Sequence, residues 1–292
     1  MPFENLRFEN PDGDALAARL DLPDGESPYA FALFAHCFTC SKDLRAVGAI
    51  SRALNRHGIG VLRFDFTGLG ESEGDFADTN FSSNVDDLVV AANFLGEHYE
   101  APRILVGHSL GGAAVLQAAH RIDSAQAVST IGAPFDPEHV TRHLEDAVEG
   151  IKAKGQARMT LAGRTFTIRK QFLDDLAATK MKDTIRTLDR ALLIFHSPVD
   201  RTVGVDNARR IEETIVRLSH EKIHAEDCED CDTDEGRVDY IEREIKVRGD
   251  LSDDQRERLF EIANKCPVHR TLHNEVDVQS SLRTPAEAPA TG

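Results

Sequence analysis

The stretch Arg103-Ile104-Leu105-Val106-Gly107-His108-Ser109-Leu110-Gly111-Gly112-Ala113-Ala114-Val115 decides how this chain is read. An apolar, β-prone run enters a glycine, and a run of small residues compatible with a helix leaves on the other side. The order is strand, sharp turn, helix, with a serine at the turn. That arrangement is a nucleophile elbow, in which a tight backbone lifts a hydroxyl above the end of a sheet. The flanking glycines have a steric reason, since a side chain there would collide with the neighbouring strand and helix. Gly112, Ala113 and Ala114 extend the small surface that such close packing needs.

Working outward, strand-like and helix-like segments alternate through the first two thirds of the chain. Leu16 to Leu22, Ala30 to Ala35, Gly60 to Phe66, Ile104 to Val106, Ala125 to Ile131 and Ala191 to His196 read as strands. Asp43 to His57, with Leu44, Val47, Ile50 and Leu54 on one face, reads as a helix, as do Asn84 to Leu95 and Leu110 to His120. This alternation predicts an α/β class fold with a mostly parallel sheet covered on both faces. From about 134 to 190 the pattern turns charged and irregularly amphipathic, with Met159, Leu161, Phe166 and Phe172 scattered through it. An insertion there lies over the carboxyl ends of the strands, and a helical lid is expected.

The bulk properties set bounds. A length of 292 residues admits one large domain or two ordinary ones. No apolar run approaches the roughly 18 residues needed to span a bilayer, and the start has no apolar core of a signal peptide. A cytoplasmic location and no membrane partner are expected. A net charge of −16 repels phosphate backbones, so nucleic acid is not an expected partner. The five cysteines, an odd number, argue against a disulfide framework.

Acyl transfer needs a nucleophile, a base, an orienting acid and an oxyanion hole. Ser109 is the candidate nucleophile. Asp200 is the candidate acid, in the turn His196-Ser197-Pro198-Val199-Asp200 after an apolar run. The loop His36-Cys37-Phe38-Thr39-Cys40 follows an earlier buried strand, and the backbone N–H groups of Phe38 and Leu110 are the expected oxyanion donors. Cys37-x-x-Cys40 also has the spacing of a redox pair, although its place in this loop explains it better.

On these residues, about 10 to 210 resembles an α/β-hydrolase. More closely, the chain resembles bacterial fusion proteins that join an α/β-hydrolase to an OsmC/Ohr-type domain. The segments that carry this are Ala35-His36-Cys37-Phe38-Thr39-Cys40-Ser41-Lys42-Asp43, Arg63-Phe64-Asp65-Phe66-Thr67-Gly68-Leu69-Gly70 and the elbow. Further on, His220 to Cys231 and Cys266 to Leu272 look like the later part of the OsmC-type half. The family carries a long stretch between its hydrolase part and these segments, with the catalytic histidine and the first reactive cysteine. This chain lacks that stretch, and the join falls near Ile215 to Leu218.

The resemblance implies a hydrolase domain over 1–216 with a lid at about 134–190, a partial α+β OsmC-like module over 217–283 and a flexible tail at 284–292. It implies a serine esterase that cleaves a carboxylic ester or related acyl bond of a small-molecule substrate through an acyl-enzyme on Ser109, without a metal or other cofactor. Dimeric OsmC/Ohr-type relatives make a homodimer an expectation. Cys266 matches their resolving thiol. The base must come from new sequence. A helix from Val205 to Ile215 followed by a returning strand from Val216 to Ile223 places His224 near the catalytic edge, with His220 on the same face. Two further readings stay open: a scaffold without a base, and a tail with thiol-redox chemistry or one in which Cys228, Cys231, Cys266 and His269 bind zinc.

Overall fold

The computed structural model describes residues 2–25, 27–161, 164–211, 215–224, 237–246, 257 and 276–283. Two antiparallel strands, β1 (Phe3–Glu9) and β2 (Ala15–Asp21), open the chain. Then come β3 (Ala30–Ala35), α1 (Arg45–Asn55), β4 (Ile59–Phe64), α2 (Phe81–His98), β5 (Ile104–His108), α3 (Leu110–Ala118) and β6 (Ala127–Ile131). An insert follows, and β9 (Ala191–Phe195) closes a seven-stranded sheet in the order β1-β2-β4-β3-β5-β6-β9. From β4 to β9 all neighbours are parallel, while β2 meets β4 antiparallel.

The fully buried run of β3 shows why the sheet needs cover on both faces. Phe31, Leu33 and Ala35 join one apolar cluster with α2 and α3, while Ala32 and Phe34 join a second with Val47 of α1. Alternate side chains of one strand therefore feed two cores, so the sequence is apolar throughout rather than alternating. Asn80 caps α2 by accepting from the Ser83 N–H, and the Ser83 hydroxyl in turn accepts from the Asn80 N–H. This reciprocal bonding starts the helix at Phe81, three residues before the expected start.

The insert is not wholly helical. It holds a 3-10 segment (Pro137–Leu144), α4 (Glu145–Lys154), a hairpin of β7 (Gln156–Leu161) and β8 (Arg164–Arg169), then α5 (Lys170–Ala178) and α6 (Met181–Arg186). The hairpin has a period-two signature: on β8, Phe166 and Ile168 are buried and join the main core, with Met159 of β7 packed against it. The Phe166 ring centroid lies 5.0 Å from that of Phe76, and Phe172 of α5 lies 5.1 Å from Phe38. Asp175 accepts hydrogen bonds from the N–H and hydroxyl of Ser82, at 2.8 and 2.6 Å. These contacts seat the insert on the loops that lead out of β3 and β4.

After β9 the expected helix is short, α7 (Asp206–Arg210). The expected strand forms over Ile215–His224 as β10, but it is not part of the seven-stranded sheet. It pairs antiparallel with β11 (Arg237–Lys246) over ten positions, from Ile215↔Lys246 to His224↔Arg237. A parallel partner, β12 (Val276–Arg283), completes a separate three-stranded sheet. A ten-residue partner of matching length supplies β10 with its ladder without the main sheet. Cys228, Cys231, Cys266 and His269, the expected zinc or redox groups of the tail, lie outside the described residues, as does the tail over 284–292.

Candidate active site

Ser109 is the one non-glycine residue with positive φ among the described residues, at φ 54° and ψ −124°. Such a conformation costs of order 1–3 kcal/mol and persists only where the surroundings impose it. Here they do. The Ser109 N–H donates to the Ile131 carbonyl at 2.9 Å, and the Gly112 N–H donates to the Ser109 carbonyl at 2.8 Å. A Cβ on Gly107 would lie 2.6 Å from Gly112 Cα, and one on Gly111 would lie 2.6 Å from the Ala35 carbonyl oxygen. The two glycines thus let α3 approach both its own strand and the end of β3. The expected strand, turn and helix form, with Ser109 at the turn.

The contact of Gly111 with Ala35 and His36 also sets the loop that follows β3 beside the elbow. Within that loop the Phe38 N–H donates to no group among the described residues. Leu110 is the first residue of α3, and its N–H is one of the unpaired donors that begin any helix. Phe38 itself is buried between the rings of Phe76 and Phe172.

Both ends of this loop are anchored. His36 is almost fully buried, its Nδ1–H donating to the Cys37 carbonyl at 2.7 Å and its Nε2 accepting from the Phe66 N–H at 3.4 Å. Burial pushes its pKa below the ordinary histidine range, so it is a neutral strut. At the other end the Asp65 carboxylate accepts from the Lys42 N–H at 2.6 Å, from the Lys42 ammonium at 3.0 Å and from the Glu71 N–H at 3.0 Å. Burial alone would lower the Lys42 pKa, but its bonds to Glu71, Asp65 and Asp43 raise it above the ordinary lysine range.

Asp200 sits in the loop after β9, half-buried. Its Oδ1 accepts from the N–H groups of Thr202 and Val203 at 2.8 and 2.9 Å. Oδ2 points at Gly132, where an added Cβ would stand 3.3 Å away. Gly132 immediately follows Ile131, the residue that holds the Ser109 backbone, so acid and serine meet at the end of β6. His196 fixes the same loop by donating from Nε2 to the Val203 carbonyl at 2.6 Å. His139 of the insert donates to the Thr202 carbonyl at 2.9 Å.

His224 is the last residue of β10, opposite Arg237, and His220 lies four residues earlier, opposite Ile241. Cys37 and Cys40, whose spacing also fitted a redox pair, are joined by a disulfide. Their sulfurs and an imidazole nitrogen of His108 all lie within 4.8 Å of one another. Bound to each other, the sulfurs are not thiolate donors, so this trio does not form a metal centre in the disulfide state. The C-x-x-C spacing was the available signal. A separate cavity of about 300 Å³, lined by Pro23, Tyr29, Asn55 and Gly58 among others, sits at the amino ends of β3 and β4. It is at the opposite edge of the sheet from Ser109.

A mostly parallel sheet, covered on both faces and carrying a serine in a strained strand-to-helix turn, defines an α/β-hydrolase. Residues 40–190, just over half of the chain, match the family described as Serine aminopeptidase, S33, and the chain belongs to that family. It is similar to the esterase domain of a Rhodothermus marinus protein: 50% identity, 72% of this chain and 82% of that one covered, TM-score 0.57. Est1E from Butyrivibrio proteoclasticus shares the fold at 20% identity, with 70% and 85% covered and a TM-score of 0.56. Monoglyceride lipase from Rattus norvegicus is 32% identical over 125 residues, which span 41% of this chain and only 40% of the lipase. No helix among the described residues is long and apolar enough to cross a membrane.

Proposed function

We propose that the chain is a serine esterase that cleaves a carboxylic ester of a small molecule through an acyl-enzyme on Ser109. The observation that carries this is the strained elbow at Ser109, placed against the oxyanion loop by the Gly111 contact. The likeness to the Rhodothermus marinus esterase domain supports the reaction class.

The proposed steps are as follows. The Ser109 hydroxyl attacks the ester carbonyl while a histidine takes its proton. The negative oxygen that develops is met by the Phe38 and Leu110 N–H groups, donors fixed before the charge appears. The alcohol leaves with the proton, and water releases the acyl group by the same path in reverse. Asp200 orients the histidine, for which we assign His224, with His220 four residues earlier. The insert between β6 and β9 serves as the lid, its Phe172 packing on Phe38 of the oxyanion loop. No metal or other cofactor takes part.

A scaffold without a base is the second reading. Hydrolysis of p-nitrophenyl acetate and butyrate separates the two. The esterase reading predicts turnover lost on the order of 10³-fold or more in both Ser109→Ala and His224→Ala. Activity lost in Ser109→Ala but kept in His224→Ala, and lost in His220→Ala, transfers the base to His220. Turnover no faster in the native chain than in Ser109→Ala supports the scaffold.

A further inference from the structure

We infer that Cys37 and Cys40 form a reversible thiol–disulfide exchange site beside the elbow, with small dithiols and small disulfides as its reaction partners and His108 as its proton acceptor. The inference does not rest on hydrolysis at Ser109.

Three observations carry it. First, the bond is local. The cysteines are three residues apart with Cα atoms 5.2 Å apart, inside the span that a disulfide bridges. The Cys40 N–H donates to the Cys37 carbonyl at 3.1 Å, so a turn holds the two side chains together whether or not the sulfurs are joined. Opening and closing the bond then requires little backbone movement. A loop this short also restricts the unfolded chain less than a long-range bridge would, which makes a purely structural staple a poor explanation.

Second, the pair is reachable. Both cysteines are half-buried at the carboxyl edge of the sheet, neither sealed in the core nor far from the site. Third, a base stands beside them. An imidazole nitrogen of His108 lies within 4.8 Å of both sulfurs, and its buried Nδ1 has no hydrogen-bond partner among the described residues. Burial pushes the His108 pKa below the usual histidine range, with the Asp200 charge offsetting part of that. The ring is therefore neutral near pH 7 and a weaker base than an ordinary histidine, so it takes the proton only as the thiol attacks. Thiolates, not thiols, attack disulfides, so a neighbouring proton acceptor speeds exchange.

The chemistry balances as follows. In opening, one thiolate of a small dithiol attacks a sulfur of the Cys37–Cys40 bond. That bond breaks, a mixed disulfide forms, and the released cysteine takes a proton. The second thiolate of the dithiol displaces the remaining cysteine sulfur and leaves as a cyclic disulfide. Two electrons and two protons end on the two cysteines. In closing, a cysteine gives its proton to His108 and attacks a small disulfide, releasing one thiol. The second cysteine then displaces the other.

The full chain is equilibrated anaerobically across a series of glutathione to glutathione disulfide ratios, quenched with acid, alkylated and digested with trypsin. The peptide Leu20 to Lys42 contains these two cysteines and no others, so its mass reports this pair alone. The expected result is a reversible passage from the disulfide to the doubly alkylated form with one midpoint. In His108→Gln, opening by dithiothreitol and closing by glutathione disulfide should both slow about tenfold at neutral pH. Cys37→Ser/Cys40→Ser, followed by circular dichroism, shows whether the fold survives without the bond, and native-like spectra are expected. A peptide that stays in one form across the whole series overturns the inference. So does a double serine variant that fails to fold, because the bond would then be structural. An unchanged rate in His108→Gln removes the histidine's role.

Discussion

At Ser109 the chain holds a backbone conformation that few residues with a side chain adopt, and two glycines make it sterically possible. Gly111 is the more exacting of the pair, because its Cβ would meet the carbonyls of Ala35 and His36, backbone atoms that have no flexible end to move. Gly111→Ala should therefore cost about 1–3 kcal/mol of stability by forcing α3 away from β3. A urea denaturation midpoint below that of the native chain, together with reduced ester hydrolysis, checks it. Asp200→Asn is a different kind of change. An amide oxygen can still accept from the Thr202 and Val203 N–H groups, so the fold should persist while the charge is lost. The kcat/KM for p-nitrophenyl esters should fall on the order of 10³-fold or more with the melting temperature nearly unchanged. Ser109, its glycines and the position of Asp200 were legible in the sequence, because steric demand at a turn writes itself as residue type. The pairing of Cys37 with Cys40 was visible as a spacing, but whether two sulfurs meet depends on the turn between them, which spacing alone does not give.

Elements position these residues, and the loop from His36 to Lys42 shows how. Its ends are held by buried polar groups, His36 against Phe66 and Lys42 against Asp65, so the donor at Phe38 is fixed without a strand or helix of its own. Asp65 is fully buried, and its removal leaves the Lys42 ammonium with fewer partners and the Lys42 and Glu71 N–H groups without their acceptor. Asp65→Ala should cost about 3–5 kcal/mol. Chemical denaturation reads the loss, and ester hydrolysis should fall with it because the loop loses an anchor. The parallel strands were legible since burial on both faces makes them continuously apolar. The β7–β8 hairpin was missed, although Met159, Phe166 and Ile168 carry its alternation, because charged residues interleave and blur the period. The opening strand β1 was missed as well. Its residues are mostly exposed and, at the edge of the sheet, have little apolar pattern to show.

On the scale of the whole molecule, one buried carboxyl sets a pH dependence. Burial pushes the Asp87 pKa up to about 6 from an unfolded value of 3.8, with the Thr67 N–H and hydroxyl offsetting part of the rise and the charges of Asp86 and Asp14 adding to it. The unfolded chain gives up this proton first. Stability from the group is therefore full below about pH 4, falls as pH rises through 6, and stays low above it. The loss amounts to roughly 3 kcal/mol. Asp87→Asn should remove that slope, so that its urea midpoint gains on the native chain between pH 4 and 7. A constant difference across this range would show that Asp87 ionises normally. The first 211 residues form a fold whose plan the sequence conveyed. Of the later part, the strand expected from Val216 to Ile223 forms within Ile215–His224, but a strand's own residues do not say which sheet it joins.

The central claim is that Ser109 is an activated nucleophile. Treating the native chain and Ser109→Ala with a fluorophosphonate, then mapping the adduct by mass spectrometry, tests it most directly. The account predicts stoichiometric phosphonylation on Ser109, absent from the variant and slowed on the order of 10³-fold in His224→Ala. A folded native chain that takes up no phosphonate at Ser109 would contradict it.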